Sequence, residues 1–99
     1  MKALVYQGNG KINLEEKPYP TLKKSTDAVI KVTLSTICSS DLHILNGTVP
    51  RAIPGVTLGH EFVGVVEEIG KDVKNVVIGD RVAVNVETFC GECFFCRRG

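Results

Sequence analysis

Gly59-His60-Glu61-Phe62-Val63-Gly64 is the stretch that decides how this chain folds. A histidine and a carboxylate stand side by side between two glycines, directly before an apolar run. Adjacent side chains of a strand point to opposite faces, so His60 and Glu61 can meet one ion only if the backbone bends at His60. Gly59 gives the freedom for that bend. Downstream, Phe62 to Ile69 is β-prone with few charges and closes at Gly70-Lys71-Asp72. Gly64 inside that run marks a bulge or a close backbone approach.

Working outward, Ala3 to Gln7 and the alternating Ile12 and Leu14 flank Gly8-Asn9-Gly10, which predicts a hairpin ended by Pro18-Tyr19-Pro20. Ala28 to Ile37 is the clearest strand of the first half, with Ile30, Val32 and Leu34 expected on one face and Lys31, Thr33 and Ser35 on the other. Ser39 or Ser40 is the expected cap of a short helix closing at Asn46-Gly47. Thr48 to Thr57 reads as an irregular loop. Ile78-Gly79-Asp80 is a turn before a strand whose valines, Val82, Val84 and Val86, alternate with Ala83 and Asn85. Several short strands, one short helix and no internal repeat predict a mainly β fold, a small irregular barrel or sandwich.

Composition sets the outer bounds. The chain has 99 residues and a net charge of +1, which makes one small domain or part of one. Scattered basic residues give no case for nucleic acid, and Arg97-Arg98 is too short to be a patch. No segment approaches a membrane span, and the apolar run at the start is too short for a secretion signal. A cytoplasmic location follows as the expectation, in which four cysteines are metal ligands or reactive thiols instead of disulfides. Gly8-Asn9-Gly10 lacks the third glycine and the following helix of a phosphate-binding motif.

Two stretches carry metal chemistry. Cys90, Cys93 and Cys96 are spaced so that a tight loop, turned at Gly91, can wrap three thiolates around one soft cation. Zinc fits that spacing, and so does the start of an iron–sulfur cluster run. The second set is Cys38, His60 and Glu61, near Ser40, Asp41 and His43. Its residue types suit zinc with an exchangeable position, while Cys38 as a small buried hydrophobe and His43 as an exposed helix residue are the plainer alternatives.

Taken together, Cys38-Ser39-Ser40-Asp41-Leu42-His43, Gly59-His60-Glu61 through Gly64, Gly70 and Val73, Gly79-Asp80-Arg81-Val82 and Cys90-Gly91-Glu92-Cys93-Phe94-Phe95-Cys96 resemble the N-terminal part of a zinc-dependent medium-chain alcohol dehydrogenase. The resemblance favours zinc over iron–sulfur. It implies a GroES-like, partly open β-barrel with a short helix over residues 1–99, with the structural zinc lobe starting in 88–99. Cys38 and His60 match catalytic zinc ligands, and Glu61 matches an acid that can enter the shell. Asp41 matches the acid that orients the zinc-binding histidine, Ser40 the hydroxyl that meets the substrate, and His43 the far end of a proton relay. Cys90, Cys93 and Cys96 match three of four structural zinc ligands.

The same resemblance implies hydride transfer from a small alcohol or polyol to NAD or NADP. Several parts of the family pattern lie outside the chain: a third catalytic ligand, a fourth structural cysteine and the whole Rossmann domain. Ser39 stands where some members carry an arginine for the cofactor phosphate. The expectation is therefore a piece cut inside a zinc loop and inactive alone, with a stand-alone zinc-binding or interaction module as the alternative. An incomplete barrel leaves an open strand edge, so self-association is expected.

Overall fold

The computed structural model describes residues 1–99. Strands β1 (Lys2–Gly8) and β2 (Lys11–Glu16) form an antiparallel hairpin, turned at Asn9 with φ 50°. Strands β3 (Ala28–Thr36), β4 (Glu61–Ile69) and β5 (Arg81–Val84) form a second antiparallel sheet in the order β3-β4-β5. Helix α1 (Ser39–Leu45) follows β3, and a single 3₁₀ turn (Cys96–Arg98) lies near the C-terminus. The two sheets do not close into a barrel. No helix is long and apolar enough to cross a membrane.

The core is small. Ala3, Val5, Tyr6 and Val66 are its buried apolar side chains, and Val5 and Val66 are fully enclosed. Each is worth about 1.5–3 kcal/mol of burial. Most other large apolar residues are exposed, among them Leu34, Ile37, Val77 and Phe95. The radius of gyration is 15.3 Å, against about 12.6 Å for a compact domain of this length. The sheets therefore carry much apolar surface open on one side.

The hairpin nonetheless fixes the approach to His60. The outer edge of β1 pairs with the loop over 55–58: Tyr6 N–H donates to Val56 O at 3.0 Å, Gly55 N–H to Tyr6 O at 2.8 Å, and Leu58 N–H to Leu4 O at 2.8 Å. The chain then turns at Gly59, φ 103°, and enters β4 at Glu61. That backbone angle is one that residues with a Cβ rarely adopt, and it supplies the bend that the sequence demanded.

The pairing of β3 with β4 corrects one expectation. Val32 lies opposite Gly64 and Leu34 opposite Val63, so Thr33 is an extra residue. Its hydroxyl donates to Val63 O at 3.2 Å. A bulge shifts the alternation by one, so Leu34 shares a face with Val63 while Val32 keeps the face of Phe62. The even alternation of Ile30, Val32 and Leu34 does not survive. Gly64 is where the strands crowd: a Cβ there would run into the Lys31 carbonyl and come within 2.6 Å of Ile30 Cγ2.

Two boundaries also move. The valine strand stops at Val84, because Asn85 Oδ1 accepts the Glu87 N–H at 3.0 Å and turns the chain before Val86 can pair. The helix is capped by Cys38, not by Ser39 or Ser40, which are its first two residues. Asp41 reaches back to accept the Cys38 N–H at 3.0 Å, the reciprocal half of a capping box.

Candidate metal centre

The register of β3 and β4 builds the site. Thr36 pairs with Glu61 at the rim of the sheet. Cys38 lies two residues beyond the end of β3, and His60 lies one residue before β4, so the pairing brings both to the same rim. Ser35 reinforces the rim by donating to Glu61 O at 3.0 Å. Donor atoms of Cys38, His60 and Glu61 all lie within 4.8 Å of one another. An open apolar groove of about 430 Å³ runs beside Glu61 along Phe62, Val84 and Leu34.

The side chains form one connected series. Cys38 Sγ is 3.1 Å from Ser40 Oγ, which is 3.2 Å from His60 Nε2. On the other side of the ring, Nδ1 is 3.5 Å from Asp41 Oδ1. Asp41 is buried, and this oxygen has no hydrogen-bond partner, so the 3.5 Å approach is a charge contact only. A proton on Nδ1 suits Asp41 and leaves the Nε2 lone pair facing Cys38 and Ser40; that tautomer is inferred from the surroundings. Glu61 and His43 are exposed. His43 makes hydrogen bonds only through its backbone carbonyl, which accepts from Thr48 N–H and Oγ1. Its side chain does not join the series.

Electrostatics follow from these contacts. The Ser40 hydroxyl, then the Ser40 backbone and His60, hold the Cys38 thiol below its ordinary pKa, with Glu61 opposing. The nearby Cys38 thiol raises His60 against a desolvation cost, helped by the Asp41 charge.

Cys90, Cys93 and Cys96 come together by local turns alone. Cys93 Sγ is 3.4 Å and Cys90 Sγ 3.9 Å from Cys96 Sγ, and Cys93 N–H points at Cys90 Sγ at 3.3 Å. Backbone N–H groups of Glu92 and Cys93 lower the Cys90 thiol to about 7. Cys93 is lowered as well, first by the Cys96 backbone. The loop is exposed, with Phe94 and Phe95 packed edge to face and Arg98 over the Phe94 ring.

Both sets fit zinc. Zn–S bonds of about 2.3 Å in a tetrahedron put sulfurs roughly 3.8 Å apart, and the separations of 3.4 and 3.9 Å bracket that value. At the rim, a thiol, an imidazole and a carboxylate are a donor set that zinc accepts and hard, oxygen-seeking cations do not.

All nine residues singled out from the sequence lie in these two clusters except His43. Two features escaped the sequence reading. Cys38 as helix cap was hidden by the usual preference for Ser, Thr, Asp and Asn, although Cys38 to Asp41 has capping-box spacing. Thr33 as a bulge had no local signal.

The chain belongs to the alcohol dehydrogenase GroES-like domain family, which matches residues 24–99. It is 44% identical over 97 residues to a zinc-type alcohol dehydrogenase-like protein of Bacillus subtilis, covering 98% of this chain and 26% of that protein. Among solved structures, zinc dependent alcohol dehydrogenase 2 from Streptococcus pneumonia superposes with a TM-score of 0.94 at 39% identity, covering 99% of this chain and 28% of that one. An Escherichia coli protein, described as a short chain alcohol dehydrogenase in complex with NADH, gives 0.81 at 34% identity, with 99% and 28% covered. The chain thus spans about a quarter of the length of these relatives.

Proposed function

We propose that residues 1–99 are the N-terminal portion of the catalytic domain of a zinc-dependent, NAD(P)-linked alcohol or polyol dehydrogenase, inactive as the isolated chain. The observation that carries this is the series Cys38 Sγ–Ser40 Oγ–His60 Nε2 at the sheet rim, with Glu61 beside it. A purely structural metal module needs neither the hydroxyl between the two donors nor the carboxylate next to them.

Cys38, His60 and Glu61 would hold the catalytic zinc, which supplies Lewis-acid activation of a substrate oxygen. Asp41 holds His60 at Nδ1 so that Nε2 faces inward, the outer-partner role that fixes a ligand's tautomer. Ser40 Oγ accepts the proton of a small alcohol or donates it to a carbonyl. His43 follows Ser40 by three residues on α1, on the same helix face, and passes the proton to solvent. Residues 88–99 begin a structural zinc lobe around Cys90, Cys93 and Cys96. NAD or NADP, which a Rossmann domain outside these residues would hold, would supply the hydride acceptor. We place the protein in the cytoplasm, where its four free cysteines stay reduced, with no nucleic-acid or membrane partner.

The experiment is a chimera in which residues 1–99 replace the matching quarter of a relative dehydrogenase. Alcohol-dependent cofactor reduction is expected; His60→Ala abolishes it, and His43→Ala slows it within the roughly 10²–10⁴-fold range of acid–base groups. Equal and total loss in both variants, with zinc retained in both, contradicts the assignment. Turnover by the homogeneous 99-residue chain, lost on Ser40→Ala, contradicts its inactivity. A stand-alone zinc-binding module is the second reading, favoured by the thiol loop, whose donors need no strand to meet.

A further inference from the structure

We propose that Ser35 is a positioning residue for the metal rim: it braces the backbone on both sides of His60 and so sets where the His60 ring and the Glu61 carboxylate stand relative to Cys38. The inference rests on the reading of these three residues as zinc donors.

His60 sits in a gap between two sets of main-chain bonds. The loop before it makes its last bond to β1 at Leu58, and β4 begins at Glu61. Between them, Gly59 and His60 make no main-chain hydrogen bond, and Gly59 bends with φ 103°. A side chain carried on such a segment is placed only as well as its flanks are held. Ser35 reaches both flanks. Its hydroxyl donates to Glu61 O at 3.0 Å, and its Oγ lies 3.8 Å from where a Cβ on Gly59 would stand.

The sheet dictates this contact. Val66 N–H donates to Asp80 O at 3.0 Å, in phase with the Gly64–Val82 and Phe62–Val84 pairs, so the even residues of β4 bond β5. Bonded directions alternate along a strand, and Glu61 and Val63 therefore turn their carbonyls toward β3. Two β3 hydroxyls meet them, Ser35 at Glu61 and Thr33 at Val63, the latter at 3.2 Å. The bonds are alike in chemistry and differ in place. That of Thr33 lies inside the sheet, two residues farther from His60. Thr33 is thus a built-in control: a general gain in sheet stability would come from either hydroxyl, whereas positioning of the rim comes from Ser35 alone. A neutral bond of this kind contributes little net stability, so its loss leaves the fold in place.

The test is Co²⁺ titration of the chain in a Cys93→Ser background, which leaves the rim as the thiolate site. The thiolate-to-metal and d–d absorption bands report affinity and donor geometry together. Ser35→Ala should weaken Co²⁺ binding about tenfold, the lower end of what outer partners contribute, and shift the d–d bands. Ser35→Thr, which keeps the hydroxyl, should restore both. Thr33→Val should leave both unchanged, and all three variants should keep the β-sheet circular dichroism. An unchanged Kd and spectrum in Ser35→Ala overturns the inference, as does equal weakening by Thr33→Val, which would make the hydroxyls a matter of sheet stability. Loss of the sheet signal in Ser35→Ala overturns it for the same reason. A thiolate band that survives Cys38→Ser, or the absence of any band, overturns the zinc reading of the rim and this inference with it; that result is told apart from the others because it needs no change at Ser35.

Discussion

The sheet rim and the thiol loop present the same chemistry by opposite means. At the rim, Cys38, His60 and Glu61 are gathered from two distant segments, and what gathers them is the Thr36–Glu61 pairing of β3 with β4. In the loop, Cys90, Cys93 and Cys96 fall within seven residues and meet through turns, with no strand involved. The rim is a consequence of the fold. The loop is a consequence of spacing. Disrupting the sheet should therefore spare the loop, and removing metal should spare the sheet.

The largest effect is expected from Gly64→Val. A Cβ there meets the Lys31 carbonyl and Ile30, and overpacking of this kind costs about 1–3 kcal/mol, a large share of what so small a core supplies. Loss of β-sheet circular dichroism and of rim zinc binding is expected, while the loop still takes zinc. Loss of both sites together would erase the distinction.

Chelation is the reverse experiment. Structural zinc sites bind with about 10–16 kcal/mol in small peptides, so stripping metal should free the loop to move. Trypsin cleavage after Arg97 and Arg98 should then accelerate while the sheet signal stays. Unchanged cleavage would show a loop ordered without metal.

How much of this was legible in the sequence depended on the range of the interaction. The hairpin at Gly8-Asn9-Gly10, the bend at Gly59 and the crowding at Gly64 were readable because each is local or announced by glycine. The Thr33 bulge was not: it depends on which β4 residue lies opposite, and no pattern within β3 records that. Val86 was expected in the strand from alternation alone, but Asn85 turns the chain by capping Glu87 N–H. The rim donors were readable as residue types that suit zinc, with the resemblance adding their roles, whereas their convergence needed the register. The burial of Asp41 was invisible because an acid beside serines reads as surface.

A smaller effect is expected from Asp41→Asn. Losing the charge that holds His60 Nδ1 should weaken rim zinc by about 10–100-fold and leave loop zinc unchanged, as measured by competition with a chromophoric chelator. An equal loss at both sites would point to general unfolding instead.

The smallest concerns pH. Asp27 Oδ2 accepts the N–H groups of Lys24 at 2.9 Å and Lys23 at 3.1 Å. The Lys24 contact, then that of Lys23, holds its carboxyl below the usual range for an aspartate. A carboxyl lowered on folding stabilises the fold above its unfolded pKa and loses that contribution as pH falls through the folded one. Urea midpoints should fall on going from about pH 5 to about pH 3, and Asp27→Asn should flatten that limb slightly. An identical slope in the variant would remove Asp27 from the account.

If both sets bind zinc as proposed, the fold makes one metal site and spacing makes the other. Zinc titration of the chain against a competing chelator tests it most directly, comparing wild type with Cys38→Ser and Cys93→Ser. Two independent sites are expected in wild type, the rim site alone lost in Cys38→Ser and the loop site alone lost in Cys93→Ser. A Cys38→Ser chain that keeps both sites, or loses both, would contradict it.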